Sequence, residues 1–101
     1  MGYASLKSME DKSMKTKTIY RIVETNNRSF KEHFNRGTAF IINRVGKNGV
    51  ILEMTHVIPE TGEIIACNNW LTSRLVKVEE TTFTITFFTE NSVYIFLKEV
   101  L

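Results

Sequence analysis

The sequence predicts a mainly β protein of α+β class: a strongly bent antiparallel sheet or small barrel of six to seven strands, with one short helix. Three observations carry this. The closing third, Val76 to Lys98, alternates apolar and polar residues for most of its length, as side chains on opposite faces of a strand require. Strong turn signals at Gly46-Lys47-Asn48-Gly49 and Pro59-Glu60-Thr61-Gly62 divide the middle into short apolar runs. Helical spacing of aromatic residues occurs once, around Phe30.

The elements follow in order. From Lys17 to Glu24, Ile19, Arg21 and Val23 lie on one side of a strand, with Tyr20 and Ile22 on the other. Asn26-Asn27 breaks this run. Ser29 and Glu32 have capping-box spacing, and Phe30, His33 and Phe34 form a helical stripe that Gly37 ends. Two turns of helix are too short to stand alone, so the stripe must dock on a sheet. The Asn27-Arg28-Ser29 sequon has no signal peptide before it and reads as the start of this helix. Strands follow at Thr38–Val45 and Val50–Ile58, the latter with Val50, Leu52, Met54, His56 and Ile58 on one face. Glu63–Cys67 returns as a further strand, and Asn68–Arg74 is a polar connection. Arg74–Glu80 leads into a hairpin whose inward face is expected to hold Phe83, Ile85 and Phe87 with Val93, Ile95 and Leu97. Phe88, Tyr94 and Phe96 then fall on the second face, which needs a cover from the helix or from another subunit. Short connections make neighbouring strands antiparallel. An open sheet covered by the helix is the alternative arrangement.

Composition sets the bounds. A chain of 101 residues with 43% hydrophobic residues makes one small domain. That domain is expected over residues 14–101. Residues 1–13 read as a poorly ordered leader or tag remnant, with Met14 as a possible native start. No apolar run approaches the ~20 residues needed to span a bilayer, and no secretory signal is evident. The single cysteine, Cys67, has no partner for an internal disulfide. Together these predict a cytoplasmic protein without membrane contact. The net charge of +2 conceals a split. Residues 14–50 carry eight cations against two glutamates, and residues 51–101 carry three against seven. The favoured reading is that the fold interleaves the halves and mixes these charges; an anionic partner on one side is the alternative.

Chemistry-bearing patterns are sparse. His33, His56 and Cys67 are scattered, so no metal site and no cofactor is expected. His56 and Cys67 fall on strands that pair through the Pro59–Gly62 turn, yet a catalytic pair needs an orienting group that the sequence does not identify. The glycines form no phosphate-binding pattern. No catalytic residue is assigned. A binding loop is the sharper candidate: Asn69, Trp70, Thr72 and Arg74 combine a rigid aromatic with amide, hydroxyl and guanidinium groups. Arg44 and Lys47 join them if they share a surface. The plainer reading folds Trp70 back to cap the core.

Thr72-Ser73 and the later Thr89-Glu90-Asn91-Ser92-Val93-Tyr94 resemble a pattern in small β-rich proteins of bacteria and their phages, mostly uncharacterised. There a Thr-Ser pair precedes a strand and Thr-x-Asn-Ser-x-Tyr begins the last one. The resemblance covers about a quarter of the chain and implies a closing hairpin, with no catalytic residues. The functional expectation is a non-enzymatic binding or protein-interaction module that self-associates, with a homo-oligomer or protein partner. The alternative is a small β-barrel that binds nucleic acid or nucleotides.

Overall fold

The computed structural model describes residues Thr18–Leu101. The expected leader, residues 1–13, lies outside them. Seven strands and one helix follow the predicted order: β1 (Thr18–Thr25), α1 (Arg28–His33), β2 (Ala39–Gly46), β3 (Gly49–Val57), β4 (Ile64–Leu71), β5 (Leu75–Glu80), β6 (Thr84–Thr89) and β7 (Val93–Val100). All pairings are antiparallel, in the spatial order β4-β3-β2-β1-β7-β6-β5. Only β1 and β7 join strands distant in sequence.

The sheet is a curled half-barrel. An extra residue in one strand bends it and sharpens its twist. Register shifts of this kind occur between Ile22 and Glu24, Ile42 and Arg44, Met54 and Thr55, and Leu75 and Lys77. The concave face gathers the core: Ile22, Phe40, Leu52, Ile85, Phe87, Tyr94 and Phe96. The helix supplies the cover through Phe30 and Phe34. Phe30 is fully buried, with its ring 4.8 Å from Phe34, 5.2 Å from Trp70 and 5.3 Å from Tyr94.

Four expectations are corrected. The helix is capped by Asn27 rather than by a Ser29–Glu32 box: its Oδ1 accepts from the Phe30 N–H at 3.0 Å. The Asn27 side chain also donates to the Tyr94 hydroxyl at 2.9 Å, so the cap is fixed from the sheet. The helix stops at His33, because Phe34 takes an extended backbone well before Gly37. In the closing hairpin, Phe87 pairs with Tyr94 and Ile85 with Phe96, which places both aromatics of β7 in the core. Leu97 is 47% exposed and Phe83, which precedes β6, is 71% exposed. The four-residue turn Thr89–Ser92, closed by the Thr89 N–H on the Ser92 carbonyl, sets that parity, since cross-strand partners share a face. Finally, β4 runs on to Leu71. Asn69 and Trp70 pair with Glu53 and Leu52 of the long strand β3, so the expected connection is strand up to Leu71.

Candidate functional site

The six residues singled out above separate into three environments. Trp70 and Asn69 lie on β4, where they line a shallow pocket of about 440 Å³ with His33, Phe34, Met54 and Asn68. The indole packs edge-on to Phe30 and Phe34, and its Nε1 is buried without a hydrogen-bond partner among the described residues. Trp70 thus packs against the core cluster on one side and lines the pocket on the other. Arg44, Lys47 and Arg74 are exposed. Arg74 makes a long ion pair with Glu90 at 3.8 Å, and the Lys47 carbonyl accepts from the Leu75 N–H at 3.2 Å. That backbone bond brings the Lys47 turn beside Arg74.

Thr72 belongs to neither group. It is buried, and its hydroxyl accepts from the Val50 N–H at 2.9 Å while donating to the Ser73 carbonyl at 2.8 Å. Its own N–H returns to the Val50 carbonyl at 3.0 Å. On the other side Ser73 Oγ donates to Thr89 Oγ1 at 2.8 Å and accepts from the Asn91 N–H at 3.2 Å. Thr89 Oγ1 in turn donates to the Ser92 carbonyl and accepts from the Ser92 N–H. Each hydroxyl thus uses its donor and at least one acceptor site. The β4–β5 connection is a seam that ties the β2–β3 turn to the β6–β7 turn and draws the two halves of the sheet together. Thr72-Ser73 and Thr89–Ser92, separated by 15 residues in the chain, meet here. Thr89→Val keeps the shape but removes the acceptor of both the Ser73 O–H and the Ser92 N–H. It is expected to cost about 1–3 kcal/mol, read from the shift in urea midpoint.

His56 and Cys67 line another pocket, of about 520 Å³, together with Arg21 and Thr55. No hydrogen bond joins them: the Cys67 thiol points to the Ile65 carbonyl at 3.8 Å. Arg21 is engaged by Glu99 at 2.5 Å and by the Gly37 carbonyl at 3.1 Å. Among the described residues, no group of three or more His, Cys, Asp or Glu is placed to hold a metal. No helix among them is long and apolar enough to cross a membrane. The charge split is partly bridged, since Arg21 of the basic half pairs with Glu99 of the acidic half.

Among the described residues β4 and β5 are the outermost strands of the sheet, and these two edges differ sharply. β5 carries Lys77, Glu79 and Glu80, with ion pairs Lys77–Glu79 at 3.1 Å and Lys98–Glu80 at 2.6 Å. Charges along an edge discourage further strand addition, because a docking strand would have to desolvate them. β4, Ile-Ile-Ala-Cys-Asn-Asn-Trp-Leu, has no charge and no proline. Ile65 is 43% and Leu71 64% exposed on it. The edge was missed in sequence because Asn68-Asn69 reads as a turn until β3 supplies its pairing partners.

Fold and edge together define a class: a small antiparallel half-barrel with one protected edge and one open edge. Compared with known proteins, the sequence matches no family model, no curated protein and no solved structure.

Proposed function

We propose that this chain is a non-enzymatic protein-interaction module that binds by accepting an extended strand on β4. The observation that carries the reading is the contrast between its edges: β5 is blunted by charge and β4 is not. Every second residue of an edge strand offers its N–H and C=O outward, so an added strand gains main-chain hydrogen bonds directly. The exposed side chains of Ile65 and Leu71 give that strand apolar contacts. A peptide of alternating threonine and valine tests the reading. Its addition should slow amide hydrogen exchange along Ile64–Leu71 and leave β5 unchanged. Protection confined to β5, or exchange along Ile64–Leu71 that is neither slow without the peptide nor slowed by it, would refute it.

A second reading, nucleic-acid or nucleotide binding, draws on the approach of Lys47 and Arg74 at the seam, with Arg44 on the same hairpin. Phosphate contacts by these three cations would weaken steeply with salt. Trp70 is packed against α1 through Phe30 and Phe34, so this reading rests on the cations rather than on base stacking. On this reading, oligonucleotides at low salt perturb Arg44, Lys47 and Arg74 and leave the Trp70 emission unaltered. On the favoured reading they perturb none of them.

A further inference from the structure

We infer that the strand accepted by β4 is β4 of a second copy, paired antiparallel across a twofold axis normal to the sheet. This rests on the strand-addition reading above and adds the identity of the partner. The first argument is the phase of the strand. β3 advances one residue from Met54 to Thr55 while β4 moves two, from Asn68 to Ala66, so Cys67 is the extra residue of a bulge. Cross-strand partners share a face and faces alternate along β3. Ile65, opposite His56, therefore lies on the same face as Trp70, opposite Leu52. Ile64 and Ala66 share the other face with Asn69 and Leu71.

This change of phase makes the edge complementary to itself. In the antiparallel register of greatest overlap, Ile64 meets the second copy's Leu71, Ile65 meets Trp70 and Ala66 meets Asn69. Each pair is on a common face, and the apolar residues meet apolar ones at both ends. A strand without the bulge would be out of phase in this register. Charge adds a second argument. Glu63 precedes β4 and Arg74 follows its end, so the twofold brings the glutamate of each copy toward the arginine of the other. The Arg74 side chain is 68% exposed, and among the described residues it is held by the long 3.8 Å pair with Glu90. β4 meeting β5 would instead be a head-to-tail contact, which closes only where its rotation makes a ring, and the charges of β5 oppose it.

The axis passes near Cys67, and the strand spacing with a one-residue offset puts the two copies' thiols about 6 Å apart at Cα, within disulfide reach. Cys67 is the only cysteine and is exposed, so it reports the interface without substitution. The full chain should sediment as a concentration-dependent dimer. Mild oxidation, or a short bismaleimide, should capture that dimer covalently through Cys67. Ala66→Lys, at an exposed position of the edge, should weaken dimerisation by at least about tenfold with an unchanged circular-dichroism spectrum. The cross-link control is Cys67→Ser combined with Val78→Cys on β5. A chain that stays monomeric at high concentration would overturn the inference, as would capture through position 78 rather than 67. A monomer that still shows peptide protection on β4 refutes only the second copy. Loss of that protection refutes strand addition itself.

Discussion

Replacing Phe30 with alanine is expected to lower the stability by about 3–5 kcal/mol, the cost of truncating a fully buried aromatic. For a domain of this size that is a large share of the whole, since small domains are held by only about 5–15 kcal/mol. The reason lies in the geometry of docking. α1 has six residues, too few to be helical without support. Phe30 provides the support, with ring partners in α1's own continuation (Phe34), in β2 (Phe40), in β4 (Trp70) and in β7 (Tyr94). Without that ring the helix loses its anchor and the concave face loses its cover. Urea unfolding followed by circular dichroism checks the size of the effect. The emission of Trp70, which would lose its edge-on neighbour, should shift to the red in the folded variant. A loss below about 1 kcal/mol would mean that the sheet closes its core without the helix.

Gly49→Ala is expected to be nearly as severe, on the order of 3 kcal/mol, for a different reason. Gly49 has φ +132°, a conformation that side chains other than glycine's rarely adopt. A Cβ there would also stand 2.5 Å from the Thr72 carbonyl oxygen and 3.1 Å from that of Ser73. These are backbone atoms of the seam and have no rotamer in which to retreat. The substitution must push the β4–β5 connection off the β2–β3 turn, taking the paired bonds between Val50 and Thr72 with it. Gly46, on the same turn, has open space for 4 Å around the point where a Cβ would stand, and its φ is not positive. Gly46→Ala should therefore change stability by no more than about 0.5 kcal/mol. Measuring both thermal midpoints separates the seam from the turn: equal shifts would contradict the close approach.

The strength of these two effects reflects how little of the chain is redundant. A single short helix and one hydroxyl-lined connection hold a seven-stranded sheet in its curl. Surface ion pairs contribute far less. The Arg21–Glu99 pair joins residues distant in sequence, but both side chains are more than 40% exposed, and solvent screens their attraction.

The order of the strands, the position of the helix and the turns at Gly46–Gly49 and Pro59–Gly62 were legible in the sequence. Each rests on local chemistry: alternation along a strand, aromatic spacing along a helix, glycine and asparagine where the chain reverses. Tertiary structure decided the rest. Alternation says which residues share a face within one strand, but only pairing across Thr89–Ser92 decides which face of β7 turns inward. That is why Tyr94 and Phe96, rather than Ile95 and Leu97, fill the core. Asn68 and Asn69 favour turns locally, yet β3 is long enough to hold them and Trp70 as strand. The bulge at Cys67 is a mismatch in length between two strands, invisible in either one alone. The open edge on which the proposed function depends exists only because the sheet ends there. The sequence by itself thus determined what each segment forms; the pairing of distant segments decided what each side chain faces, because register and closure belong to pairs of strands.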